Sequence, residues 1–177
     1  MSYFLIYNGW HKEKVFKMKK FLLILGLLLS LSCKEEFTAP YLFLELKDLG
    51  GKVHKIQDYK GRILILDFWA SWCEPCRKAA PVIELLHEKS NPDNFVFLGV
   101  NTDHGLTNEE IRNIAEEFGI KYESLLDPDL KLAGELAVEG QPALFVFDRT
   151  GKNIYHQYGV NAEDAHDLLK KMSEWEK

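Results

Sequence analysis

The chain has 177 residues, enough for one ordinary domain and little more. With 46% apolar and 28% charged residues, and neither repeat nor low-complexity tract, it does not read as fibrous or disordered. The formal charge of −5 hides an asymmetry: residues 1–33 hold five Lys against one Glu, so residues 34–177 carry 17 basic and 26 acidic side chains. A domain that acidic repels phosphate backbones, which argues against nucleic acid as a partner.

The basic segment reads as an address. Met18-Lys19-Lys20 precedes an apolar run, Phe21–Leu31, that ends at Ser30-Leu31-Ser32-Cys33 before the polar Lys34-Glu35-Glu36. This is the anatomy of a charged n-region and an apolar h-region, too short for a comfortable membrane span of roughly 20 residues. The arrangement resembles a bacterial lipoprotein signal, in which Cys33 becomes the lipid-bearing first residue, although Ser30 stands where such signals usually carry Leu. An ordinary cleaved signal and an uncleaved anchor are the alternatives, and all three place the domain outside the cytoplasm. Residues 1–17 do not fit the plan and read as a start-site extension ahead of Met18. The resulting organisation is an extension (1–17), a signal (18–33), a tether (34–40) and one domain (41–177).

Within the domain, Leu42–Leu46 and Val53–Ile56 flank Asp48-Leu49-Gly50-Gly51, a hairpin signal. Asp58-Tyr59-Lys60-Gly61 is a second turn. Ile63–Trp69 is a continuous apolar and aromatic run broken only by Asp67, the signature of a strand covered on both faces. Cys73–Lys89 predicts a helix, with Pro75 tolerated in its first turn and Pro81 expected to kink it. Phe95–Asn101 is a second buried strand. Thr107-Asn108-Glu109-Glu110 is a capping box for a helix to Phe118 that stops at Gly119. Leu130–Leu136 reads as a short helix, and Ala143–Phe147 with Asn153–Tyr158 as a hairpin across Asp148–Gly151. Asn161 caps a last helix to about Trp175. Strands interleaved with helices define an α/β fold with a mixed central sheet.

The chemistry concentrates at Cys73-Glu74-Pro75-Cys76. A cycling dithiol needs one activated thiolate and a second thiol within a helical turn to resolve a mixed disulfide. Two intervening residues supply that spacing. At a helix start, Cys73 meets unpaired N–H groups and the positive end of the helix dipole, which favour the thiolate, while Cys76, one turn in, is shielded. Trp69 and Trp72 are expected to wall the site. Glu74, also at the helix start, opposes thiolate formation at Cys73. A zinc half-site is the first alternative, but zinc takes four ligands, there is no second Cys pair, and His54, His87, His104 and His156 are scattered and read as surface or loop residues. A purely structural disulfide is the other, disfavoured because so short a loop restrains the unfolded chain little.

Asp67-Phe68-Trp69-Ala70-Ser71-Trp72-Cys73-Glu74-Pro75-Cys76-Arg77-Lys78-Ala79-Ala80-Pro81 resembles the active-site segment of thioredoxins. Ala39-Pro40, Tyr59-Lys60-Gly61, Gly140-Gln141-Pro142 and Phe147-Asp148-Arg149-Thr150-Gly151-Lys152 are similar to the flanking motifs of the membrane-attached TlpA/ResA branch, over about residues 39–172. The Glu-Pro dipeptide resembles that of reducing members acting in cytochrome c maturation. The resemblance implies a thioredoxin-like fold with an N-terminal hairpin extension, and Pro142 as the family's cis-proline beside the disulfide. Gln141, Pro142 and Trp72 would then meet substrate. Ala143 stands where thioredoxins carry Thr. Asp67 matches the buried acid of cytoplasmic thioredoxins, where the TlpA/ResA branch usually has Asn. Desolvated in its apolar strand, it is expected to have a raised pKa and to take the proton of Cys76, with a hydrogen-bonded core Asp of no catalytic role as the alternative. Asp103 is a candidate acid lining a cavity by the cysteines, or else a solvated loop residue.

The reading is an extracytoplasmic, lipid-anchored, monomeric protein-disulfide oxidoreductase. Its only redox group is the Cys73–Cys76 pair, with Glu74, Pro75 and Asp103 modulating it. Its partners are disulfide-containing proteins and an upstream membrane thiol reductant. The rival is a thioredoxin-like module that holds a metal or a partner without turnover. A peroxidase of related fold would need a lone peroxidatic Cys in a Pro/Thr-rich loop, and the chain has no such segment.

Overall fold

Burial decides the architecture. The run Ile63–Trp69 forms strand β3, in which every residue is buried, and a strand covered on both faces sits at the centre of a sheet. The computed structural model describes residues 38–177; the expectations for residues 1–17, the signal and Cys33 lie outside them. Residues 38–177 lie in one compact unit.

Beside β3, strand β4 (Phe95–Asn101) runs parallel and β6 (Ala143–Phe147) antiparallel. Strand β7 (Asn153–Tyr158) closes one side of the sheet. On the other, β5 (Ser124–Leu126) pairs parallel to β4 and carries the N-terminal hairpin of β1 (Leu46–Asp48) and β2 (Val53–His54). The order is β2-β1-β5-β4-β3-β6-β7, a mixed seven-stranded sheet. The helices are α1 (Glu74–Lys89), α2 (Asn108–Phe118), α3 (Lys131–Glu135) and α4 (Ala165–Trp175).

Alternation along β3 divides the core. Ile63, Ile65 and Trp69 join Cys73, Cys76 and the apolar faces of α1, α2 and α4. Leu64, Leu66 and Phe68 point to the opposite face, with Leu42, Leu132 and Phe145. Asp67 falls in the first set by its period-two position, which puts its carboxyl on the cysteine side of the sheet.

Several elements depart from expectation. The strand expected over Leu42–Leu46 begins as a 3₁₀ turn, Pro40–Phe43, and becomes strand only at Leu46, because Pro40 presets a turn and the fully buried Leu42 plugs the space over Gly151. Likewise Ile56–Tyr59 is 3₁₀, leaving only two residues in β2. Strand β5 was not legible at three residues. Helix α1 passes through Pro81 without interruption. Helix α3 spans only Lys131–Glu135, since Leu130 before it is left-handed, φ 55°. His54 is no surface residue: it is buried, its Nε2 2.8 Å from Asp48 and its Nδ1 bonded to Tyr59.

Candidate active site

The site gathers at the carboxyl ends of β3 and β4. Trp69, the last residue of β3, pairs with Asn101, the last of β4. Phe68 pairs with Ala143, so Pro142 lies at the same end. From there the chain turns through Ala70–Trp72 into α1, and Cys73 is the N-cap. Cys73 N donates to Ala70 O at 3.1 Å. Cys73 Sγ accepts from Cys76 N at 3.1 Å, so a sulfur takes the place of the usual N-cap oxygen. An unpaired thiolate there sits at the positive end of a 16-residue helix.

The two cysteines are joined as a disulfide, their Cα atoms 5.2 Å apart. In this form both are 3% exposed, so the expected contrast of an open Cys73 and a shielded Cys76 is absent. The two tryptophans do not share a wall. Trp69 is fully buried under the site, whereas Trp72 is 72% exposed beside Cys73 and offers an apolar surface to solvent. Glu74 is exposed, 3.7 Å from Lys78, and Pro75 sits in the first turn of α1.

Asp67 lies in β3, buried among apolar neighbours. Tyr122 Oη donates to its Oδ2 at 2.7 Å. Burial pushes the Asp67 carboxyl up to about 6, and the Tyr122 bond only partly offsets it. Burial, with the Asp67 and Glu84 charges, pushes the Tyr122 phenol well above its ordinary value.

Asp103 is not a solvated loop residue. It is buried, and its carboxylate accepts from Ser71 N, Ser71 Oγ and Asn101 Nδ2, each at 2.8 Å. These bonds tie the turn before Cys73 to the end of β4. The turn is held from the other side as well. The Gln141–Pro142 bond is cis, Gln141 Nε2 donates to Thr102 Oγ1 at 2.7 Å, and Thr102 N donates to Trp69 O at 3.1 Å. Ser71, Asn101, Thr102 and Tyr122 were not singled out in the sequence. Each acts through a partner at least 32 residues away or one carried by such a link, and no local pattern announces that.

A buried disulfide at a helix N-cap, following a strand with a buried acid and at the same end of the sheet as a cis-proline, defines a thiol–disulfide oxidoreductase of thioredoxin-like fold. The AhpC/TSA family model matches residues 36–167, and the chain belongs to that family. The chain is 30% identical over 127 residues to the thiol-disulfide oxidoreductase ResA of a Bacillus cereus strain, covering 71% of this chain and 72% of the relative. Among solved structures it is similar to one assigned to a thiol:disulfide interchange protein DsbE from Chlorobium tepidum, at TM-score 0.68 and 27% identity over 76% of this chain and 93% of that one. It is also similar to the exposed lipoprotein thioredoxin of Streptococcus pneumoniae, at TM-score 0.62 and 28% identity over 74% of this chain and 98% of that one.

Proposed function

We propose that the protein reduces disulfides of extracytoplasmic proteins, with Cys73 as attacking thiolate and Cys76 as resolving thiol. The observation that carries the assignment is Cys73 at the N-cap of α1, its sulfur facing the first-turn N–H groups. In the reduced protein the Cys73 thiolate attacks a substrate sulfur, forming a mixed disulfide and releasing the substrate's other thiolate. Cys76 then gives its proton to Asp67 and attacks Cys73 Sγ. The Cys73–substrate bond breaks, and the second substrate sulfur leaves as a thiolate. Two electrons pass from the dithiol to the substrate, and a membrane thiol reductant upstream restores the pair. The cycle needs no cofactor beyond that pair.

Pro142 and Gln141 supply the backbone against which a substrate strand lies, and the exposed Trp72 supplies apolar contact. Asp103 acts as a positioning residue through Ser71. Glu74, negative in the first turn, opposes the dipole and disfavours the Cys73 thiolate. A couple is oxidising to the extent that its reduced form is stabilised, so Glu74 supports reduction rather than oxidation. The Glu74-Pro75 pair fits clients of the apocytochrome c kind.

The signal-like segment supports an extracytoplasmic protein carried on a lipid at Cys33, and the likeness to an exposed lipoprotein thioredoxin is a further reason for that reading. Fatty-acid labelling of the wild type that persists in Cys33→Ser contradicts that anchor.

The chemistry is tested by Cys76→Ser. This variant is expected to accumulate mixed disulfides with envelope proteins through Cys73, seen as thiol-sensitive adducts on gels, and Cys73→Ser to accumulate none. Trapping by Cys73→Ser and not by Cys76→Ser reverses the assignment of the two cysteines, and equal trapping by both contradicts Cys73 as the dedicated attacking thiol.

A further inference from the structure

The Asp67 carboxylate is held from one side. Tyr122, in the link between α2 and β5, donates to Oδ2 at 2.7 Å across 55 residues of chain. Among the described residues no hydrogen bond reaches Oδ1. The neighbours of Asp67 across the sheet, Gly99 on β4 and Leu144 on β6, carry neither charge nor donor side chain. The Tyr122 ring is fixed from behind: it meets His87 of α1 edge-on at 5.6 Å and Phe97 of β4 at 6.2 Å. Glu84 and His87 on α1, 3.3 Å from each other, and Lys121, whose Nζ is 3.7 Å from Glu84, are ionisable groups near the Tyr122 ring, and Cys76 belongs to the same core cluster. Glu84 is committed elsewhere, accepting from Lys121 N at 3.1 Å. A phenol buried beside two carboxylates keeps its proton, so Tyr122 is a donor and cannot itself take a proton from a thiol.

We propose that Tyr122 is the positioning residue of the proton acceptor: it holds Oδ2 of Asp67 and leaves Oδ1 to receive the Cys76 proton. The inference rests on the reading of Asp67 as that acceptor. In the step concerned, the S–H bond of Cys76 breaks and an O–H bond forms at Oδ1. The electron pair left on Cys76 attacks Cys73 Sγ, and the substrate thiolate departs. Tyr122 neither gains nor loses a proton. It favours the charged carboxylate in an apolar site and fixes the carboxyl plane.

The test follows the first-order resolution phase of the full-length reduced protein at saturating disulfide peptide, across pH, in wild type, Tyr122→Phe, Asp67→Asn and the double variant. Cys73 is engaged in the mixed disulfide in this phase and does not titrate. Tyr122→Phe is expected to move the acidic midpoint upward and slow resolution roughly tenfold below it, the scale of one lost bond to a charged group. Asp67→Asn is expected to lose that midpoint, and the double variant to match Asp67→Asn. If Tyr122→Phe keeps the wild-type profile while Asp67→Asn loses it, the Tyr122 proposal fails and the Asp67 reading stands. If Asp67→Asn keeps the profile, the acceptor reading fails with it. Should Tyr122→Phe fold poorly, the wild type decides: the phenol carbon of Tyr122 should shift in NMR at the same pH midpoint as the Asp67 carboxyl, and an unresponsive phenol overturns the proposal.

Discussion

Ionising Asp67 places a charge on a side chain that is 3% exposed in a fully buried strand, and the protein resists it by raising the carboxyl to about 6. An acid raised above its unfolded value of 3.8 contributes stability that is fully present below that value and lost as pH rises through the folded one. The lost contribution is about 2–3 kcal/mol. Asp67→Asn carries no charge to bury and keeps an oxygen for Tyr122. Urea unfolding should therefore show the two proteins drawing apart by about that amount between pH 4 and pH 7, with Asn the more stable at pH 7. A stability difference independent of pH would contradict the raised carboxyl. A destabilised acid at the heart of a catalytic domain is the trade expected where function asks for it. Asp67 was legible in the sequence because an acid interrupts the apolar run Ile-Leu-Ile-Leu-Asp-Phe-Trp and matches the buried acid of thioredoxins. Tyr122 was not: it follows a helix stop, and only the tertiary fold brings its hydroxyl to β3. Asp103 was placed among the candidates, but its burial was missed because a polar loop sequence does not reveal that its carboxylate is spent on Ser71 and Asn101.

Strand β4 shows how one element sets the floor of the site. A Cβ at Gly99 would lie 2.6 Å from Ser124 Oγ and 2.8 Å from Trp69 Nε1. The glycine therefore lets the Trp69 indole lie across β4, directly under the turn that carries Cys73. Gly99→Ala must move Trp69 or Ser124. The expected cost is about 1–3 kcal/mol in urea unfolding. Adding Ser124→Gly, which removes the nearer contact, should recover part of it. No cost in Gly99→Ala would mean that the indole is not seated there. The long strands and the capped helix α2 were legible at this scale: β3, β4 and β6 have clear apolar runs, β7 follows from the Asp148–Gly151 turn, and Thr107 and Gly119 mark both ends of α2. The short elements were not. Strand β5 exists because β4 and β1 pair with it on either side, and its own three residues carry no alternation. The N-terminal hairpin is shorter than its apolar run because Pro40–Phe43 and Ile56–Tyr59 wind into 3₁₀ turns at its open end, while Asp48 Oδ1, accepting from Gly50 N and Lys52 N at 2.9 Å each, holds its loop.

At the scale of the whole molecule, the sheet collects at one end what the sequence scatters over 76 residues, from Asp67 to Pro142. The motif order made the fold legible, because each flanking piece stood at its proper distance from Cys73. What no motif specifies is the poise of the couple, which depends on how far the folded surroundings stabilise the reduced pair. Here the helix dipole favours the thiolate, while Glu74 and an acidic domain surface oppose it. The central claim is that this balance makes the protein a reductant. The most direct test is the reduction potential of the Cys73–Cys76 couple, measured by equilibration with a thiol redox buffer. A value near or below about −270 mV, that of thioredoxin, is predicted. A value near about −120 mV, that of a strong disulfide donor, would contradict the account and make the protein an oxidant.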